Sequence, residues 1–188
     1  MIGLDNAKTI EIAGKSVSKL ELDGHNIWEL ITYKNWVKYS VEADGSLYNG
    51  GLGYKNGYRV RSSGEETTST NTVCTGYIPY KTGDVLEIYS PKNAAFKGGV
   101  SYINVADETK TNTGQISTNG KYGIFNVSGS SWVTYVTELD NGVRRFVVPT
   151  TLAGAENIAF VRVTVGFETT NDTTGEGMII TVNEEITT

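Results

Sequence analysis

The sequence predicts an all-β protein: a jelly-roll-like β-sandwich preceded by a small N-terminal three-stranded β meander. Short runs of alternating apolar residues, such as Val161, Val163 and Val165, are separated by turn signals such as Asp140-Asn141-Gly142. The chain has 22 glycines and three prolines with many threonines, and this composition favours strands and turns over helices. No window of the sequence carries the apolar stripe of an amphipathic helix.

The meander is predicted within residues 8–31 of an N-terminal unit that spans residues 1–33. The apolar residues alternate with polar neighbours, and a break in this alternation after Val17 indicates a bulge. A sheet of about 24 residues cannot hold a core alone, so we expect it to be a docking or assembly element. The residues expected to bury the docking face are Ile10, Ile12, Leu20, Leu22, Ile27 and Trp28.

The main domain is predicted over residues 34–188, as one β-sandwich of about ten short strands. Asp140-Asn141-Gly142 is its clearest hairpin signal, since Asn-Gly supports a twisted two-residue turn. The polar stretch Ser62 to Thr72 is predicted to be an exposed loop. The strands are expected near residues 36–41, 57–62, 73–79, 84–90, 98–105, 121–126, 132–138, 142–148, 157–166 and 177–183.

The segment from Asp44 to Arg59 is rich in glycine and tyrosine, which predicts an ordered, irregular loop. Aromatic rings on such a loop could stack on sugar rings, and glycines let the backbone approach a ligand. The alternative is that the tyrosines cover the end of the sandwich core. The residues of the predicted glycan site are Trp36, Tyr48, Tyr54, Asn56, Tyr58 and Arg59.

Charge and composition argue against several classes of partner. The net charge is −5 and the pI is near 5.0, so we expect no nucleic-acid partner, since no basic stripe exists to neutralise phosphates. No run of 18 apolar residues predicts a membrane span, and the first residues do not resemble a signal peptide. Cys74 is the single cysteine and is predicted to be a small buried residue in a strand.

The sequence offers no recognisable catalytic set. His25 is the single histidine and lies in the N-terminal unit, so we expect no Ser/His/Asp or Cys/His arrangement. No two carboxylates stand out as the facing pair that a glycosidase needs. We therefore expect no enzyme activity, no catalytic residues, no metal site and no cofactor.

Several stretches resemble structural proteins of phages and prophages of Gram-positive bacteria. Residues Thr9 to Trp28 resemble a small hairpin module of such proteins. The stretches that resemble a domain of the same proteins are 35–50, 53–59, 75–85 and 157–163. The resemblance implies a virion component (tail tip, baseplate, fibre or head decoration) with a jelly roll like that of carbohydrate-binding modules.

From these observations we expect a virion structural protein, made in the host cytoplasm, whose sandwich projects from the particle and binds host-surface glycan. Its expected partners are other virion proteins, copies of itself, with a trimer favoured, and host cell-surface carbohydrate. The alternatives are a capsid decoration or head-fibre protein that binds no glycan, and a stand-alone carbohydrate-binding module.

Overall fold

The computed structural model divides the chain into two units, Met1–Tyr33 and Lys34–Thr188. The structure describes residues 10–12, 15–17, 19–22, 25–29, 33–91, 102–117, 121–124, 136–138, 143–148, 150–151, 155–166 and 174–186. Every described strand pair is antiparallel, and no α-helix occurs in these ranges.

The N-terminal unit contains two separate hairpins in its described residues. Strands β1 (Ile10–Ile12) and β2 (Lys15–Val17) form one, and β3 (Lys19–Leu22) and β4 (His25–Glu29) form the other. The predicted three-stranded meander is therefore not confirmed. The change in apolar alternation after Val17 accounts for the difference, because one continuous strand would turn Val17 and Leu20 to opposite faces.

The second unit contains two sheets. The larger sheet has the strand order β11-β10-β9-β14-β6-β5, with β7 also paired to β14. Its strands are β5 (Tyr54–Val60), β6 (Glu66–Thr75), β7 (Ile78–Pro79), β9 (Tyr102–Ala106), β10 (Asn112–Ser117), β11 (Lys121–Ile124) and β14 (Phe160–Gly166). The smaller sheet has the order β12-β13-β8-β15, with β8 (Val85–Tyr89), β12 (Val136–Glu138), β13 (Arg144–Val147) and β15 (Ile179–Val182).

The core lies between these two sheets. Alternate side chains of β9 and β14, including Ile103 and Val163, form one cluster with Leu86, Phe146 and Ile180 of the smaller sheet. This burial of one face from each sheet is the arrangement of a β-sandwich, so the predicted all-β sandwich is confirmed. The finer prediction of a jelly roll stays a prediction.

The segment predicted as a first strand, 36–41, instead begins with a 3₁₀ helix, Trp36–Tyr39. Asn35 determines this conformation, because its side-chain oxygen accepts hydrogen bonds from Val37 N and from Ile180 N, both at 3.1 Å. Its amide also donates to Met178 O at 2.9 Å. Asn35 thereby ties the start of the second unit to strand β15.

The polar stretch predicted as an exposed loop, residues 62–72, lies largely within strand β6. The β5–β6 hairpin bends near Gly57 and Asn71, which both have positive φ angles, of 74° and 66°. Its end crosses the outer face of the larger sheet, where Val60 is buried against Tyr48 and Cys74. We call residues 58–68 the folded hairpin end.

Candidate functional site

The glycine-rich segment is held by its own backbone geometry. A second 3₁₀ helix, Tyr48–Gly51, packs beside the first, and Gly53 follows it with a φ angle of 78°. A Cβ atom on Gly53 would lie 1.8 Å from the carbonyl oxygen of Val37, so this position requires glycine. The Ser40 hydroxyl donates to the Gly53 carbonyl at 3.0 Å and closes the segment.

Tyr48 anchors this segment to the outer face of the larger sheet. Its side chain is fully buried, and its hydroxyl donates to Glu66 at 2.8 Å and lies 3.4 Å from Cys74 Sγ. The burial removes Tyr48 from the predicted stacking platform. The alternative places the tyrosines over the end of the sandwich core, whereas Tyr48 packs with Val60 and Cys74 in a cluster separate from that core. Burial also raises the pKa of Tyr48 far above its usual value.

A small ionic network surrounds the Tyr48 hydroxyl. Glu66 accepts hydrogen bonds from Arg162 and, at 2.9 Å, from Lys55 Nζ. Burial by itself would raise the pKa of Glu66, but the hydrogen bond from Lys55 and the charge of Arg162 outweigh it and lower that pKa. Burial raises the pKa of the Cys74 thiol, and this fits the prediction of a structural, buried cysteine.

An open cleft of about 460 Å³ lies beside the glycine-rich segment. Tyr54 and Leu52 form part of its wall, and Leu52 is 58% exposed, so it presents an apolar surface to the cleft. Lys38 and Asn35 add polar groups. The complete lining is Asn35, Val37, Lys38, Gly51, Leu52, Tyr54, Gly175, Glu176, Gly177, Met178 and Ile179.

The predicted residues Tyr54 and Asn56 both contact the wall of this cleft that residues 175–179 form. The Asn56 side-chain oxygen accepts a hydrogen bond from Gly175 N at 3.0 Å. A Cβ atom on Gly175 would lie 2.6 Å from the Tyr54 ring, so glycine lets that wall approach the ring closely. Tyr54 also packs against the core, and therefore both supports the fold and lines the cleft.

Trp36 is half-buried against the core, and its ring forms an edge-to-face pair with Tyr39 at 6.4 Å between centroids. The Lys34 ammonium lies 3.5 Å from the centre of the Trp36 ring, a cation–π arrangement. Tyr39 is 53% exposed. The sequence prediction overlooked Tyr39, which the helical spacing of Trp36 and Tyr39 could have indicated.

Tyr58 and Arg59 do not line this cleft. Both lie on the folded hairpin end, after the irregularity at Gly57, which shifts the strand register. The Tyr58 ring is 37% exposed, and Lys55 Nζ lies 5.9 Å from its centre. Arg59 lines a separate groove. The residues of the predicted glycan site thus lie in four places. Tyr48 is a buried anchor, Trp36 pairs with Tyr39, Tyr54 lines the cleft with Asn56 bonded to its wall, and Tyr58 and Arg59 lie on the folded hairpin end.

A larger cleft, of about 540 Å³, is lined by loop residues that include Lys81, Asp107 and Glu108. Asp107 is occupied within its own turn, since its Oδ1 accepts hydrogen bonds from Thr109 N at 2.9 Å and from Thr111 N at 3.0 Å. The hydrogen bond from the Thr109 hydroxyl lowers the pKa of Asp107. Because this carboxylate already stabilises a turn, we favour the cleft beside Leu52 as the binding site.

The predicted assembly residues lie in the N-terminal unit, of which the described residues give only strand pairing. Leu20 pairs with Trp28 and Ile10 with Val17, whereas Ile27 is the unpaired residue at the β4 irregularity. Ile12 pairs with Lys15, and Leu22 with His25. The side chains of these residues lie outside the described part of the structure.

The described ranges contain no group of three or more His, Cys, Asp or Glu residues that could hold a metal ion. Among the same residues, no helix is long and apolar enough to cross a membrane. Comparison with protein-family models, with curated proteins and with solved structures gives no match.

Proposed function

We propose that this protein is a non-enzymatic virion component whose β-sandwich binds carbohydrate in the cleft beside Leu52 and Tyr54. The observation that carries the proposal is the combination of an open cleft, an exposed leucine and a tyrosine ring on a rigidly held glycine-rich segment. Sugar sites pair an apolar platform with a few polar groups that bind hydroxyls, and Lys38 and Glu176 occupy such positions. The virion placement rests on the sequence resemblance.

The size of the cleft indicates how strongly one copy of the protein would bind. A cleft of about 460 Å³ accommodates only a few sugar units, so one copy would bind weakly. Several copies on one particle would raise the avidity by orders of magnitude, about 10²–10⁴. Weak binding by each copy is therefore compatible with firm attachment of a particle that displays several copies.

Leu52 and Leu47 offer a matched pair for testing this proposal. Both are more than half exposed and flank the same 3₁₀ helix, but Leu52 lines the cleft and Leu47 does not. Fluorescently labelled full-length protein should bind host cells, and Leu52→Ala should reduce that binding several-fold while Leu47→Ala leaves it unchanged. Equal binding by both variants would contradict a site in this cleft.

The burial of Tyr48 and the packing of Tyr54 favour a second candidate, a particle decoration protein that binds no sugar. In that case wild-type protein would bind particles that lack it but would not bind host cells. The two assays on the same preparation separate the candidates.

A further inference from the structure

We propose that a second site, on the outer face of the larger sheet, binds a phosphate or carboxylate group carried by a sugar. The site is a groove of about 260 Å³ between the folded hairpin end and strands β9 and β10. Its lining residues are Arg59, Val60, Arg61, Ser62, Tyr102 and Gln115.

The charge of this groove is opposite to that of the chain. The chain carries a net charge of −5, yet two of the six lining residues are arginines and none is acidic. Neither Arg59 nor Arg61 has a carboxylate partner in the described part of the chain, and the one hydrogen bond of the Arg61 guanidinium is to the Thr67 hydroxyl at 3.3 Å. Guanidinium groups without a carboxylate partner bind oxyanions through paired, charge-assisted hydrogen bonds.

Side chains of strands β9 and β10 hold the backbone that carries these arginines. Three side-chain amides of β9 and β10 each donate to one of three consecutive carbonyl oxygens: Gln115 to Val60 at 3.2 Å, Asn104 to Arg61 at 2.8 Å and Asn112 to Ser62 at 2.7 Å. Asn104 also bonds both of the other amides. This amide row holds the hairpin end in place before a ligand binds, which reduces the entropy that binding costs.

The remaining groups of the groove suit a sugar beside the anion. The Gln115 amide nitrogen is used in the row, and its side-chain oxygen accepts no hydrogen bond among the described residues. That oxygen can accept from a sugar hydroxyl, and the half-buried Tyr102 adds a phenol ring. The arginines suit the oxyanion, and the amide oxygen and the aromatic ring suit the sugar. The ligand class is therefore a sugar that carries a phosphate or carboxylate group.

This inference rests on the proposed function only in expecting a saccharide around the anion. The two sites share no lining residue, so each can fail without the other. A neutral sugar would occupy the cleft at Leu52, whereas a charged sugar would also occupy the arginine groove.

The test is a titration of the ¹⁵N-labelled full-length protein with glucose 6-phosphate, glucuronate, inorganic phosphate and glucose. We expect the amide signals of Arg61, Tyr102 and Gln115 to shift with the two charged sugars and not with glucose. The tighter of the two charged sugars identifies phosphate or carboxylate as the preferred anion. Inorganic phosphate should shift the same signals at higher concentration, because it lacks the sugar contacts.

The variant Arg59→Gln/Arg61→Gln should weaken binding of the charged sugars at least tenfold and leave host-cell binding through Leu52 measurable. A matched control, Lys34→Gln/Lys81→Gln, removes the same charge at exposed positions outside both proposed sites. Equal weakening by both variants, or no shift at the groove with either charged sugar, would overturn the site. Equal affinity for inorganic phosphate and glucose 6-phosphate would overturn the sugar part of the proposal.

Discussion

Glu66 connects the glycine-rich segment, the folded hairpin end and strand β14 through three side chains: Tyr48, Lys55 and Arg162. It is the one carboxylate among these four groups, and its side chain is 22% exposed. Removing it would leave the Arg162 guanidinium, which is 6% exposed, without a partner for its charge. Such an unpaired buried charge is more costly than the loss of a surface ion pair.

We predict that Glu66→Gln lowers the free energy of unfolding at pH 7 by about 1–3 kcal/mol. The folded-state pKa of Glu66 is lowered, so its contribution to stability is complete above the unfolded-state pKa and is lost as the pH falls through the folded-state pKa. Urea unfolding at a series of pH values should therefore show a smaller acid-induced loss of stability for the variant. Glu65→Gln, at an exposed neighbour, is the control, and the same pH dependence in all three proteins would contradict the assignment.

Two glycines with similar backbone angles differ in the space around them. Gly45 and Gly53 have φ angles of 89° and 78°, but a Cβ atom on Gly45 would meet nothing within 4 Å, whereas one on Gly53 would meet the Val37 carbonyl oxygen. Gly45→Ala should cost about 1–2 kcal/mol from the left-handed conformation alone. Gly53→Ala should cost clearly more, and thermal melting of the two variants compares them. Similar melting temperatures would show that the 3₁₀ helices move apart easily.

The sequence could identify the glycine-rich segment as ordered but could not tell a buried tyrosine from an exposed one. The three tyrosines, Tyr48, Tyr54 and Tyr58, differ in exposure. The Tyr48 side chain is buried between the segment and the sheet, whereas the register shift at Gly57 changes the side of the strand on which Tyr58 lies. The burial of Tyr48 depends on contacts with Glu66, Cys74 and Arg162, which are distant in the sequence. The predicted platform therefore separates, and only Tyr54 remains in the cleft.

At the scale of elements, the amide row explains why a polar hairpin packs on a sheet face. Asn104 is 2% exposed and makes three side-chain hydrogen bonds: its amide nitrogen donates to Arg61 O and to Asn112 Oδ1, and its oxygen accepts from Gln115. The Asn112 amide continues the row by donating to Ser62 O. The hairpin end is thus held by satisfied polar contacts in addition to the burial of Val60.

We predict that Asn104→Ala loosens the folded hairpin end without unfolding the sandwich. The change leaves the Arg61 carbonyl without its donor and should cost about 1–3 kcal/mol. Amide hydrogen exchange should accelerate at residues 60–66 and stay slow in the core strand β14. Asn157→Ala, at an exposed position, is the control. Acceleration spread evenly over both regions would mean that the amide row supports the whole domain.

The sequence predicted strands in which apolar residues alternate with polar ones, but it missed a strand made mostly of polar residues. Strand β14 has buried valines at alternate positions, and the predicted range 157–166 contains it. The pair β12–β13 surrounds the predicted turn at 140–142, although those turn residues lie outside the described part. Strand β10, Asn112–Ser117, was missed because Asn112 and Gln115 bond to the hairpin end, so polar residues occupy positions where apolar alternation would otherwise mark a strand.

For the molecule as a whole, the boundary between the two units predicts the residue at which the sandwich begins, and truncated chains can test it. Asn35 belongs to the second unit, where its side chain bonds Met178 and Ile180, and Trp36 packs on the core. A chain of residues 34–188 should therefore unfold cooperatively, with a melting temperature within a few degrees of the full chain. A chain of residues 37–188 should melt lower, since it lacks both contacts. Equal melting of the two truncated chains would contradict this boundary.

The N-terminal unit is the expected assembly element of the chain. Its two hairpins are two-stranded and short, and such ribbons are marginal in water unless they pack on something else. Closed rotational symmetry is a common way for identical chains to bury such surfaces. We therefore expect the full chain to be a trimer, with a mass three times its 20.4 kDa by light scattering at tens of micromolar, roughly the range where moderate contacts (Kd near 1 μM) are saturated. The chain of residues 34–188 should be a monomer under the same conditions. A trimer that survives this truncation would place the contact in the sandwich, and a monomeric full chain would leave the hairpins to pack on another virion protein.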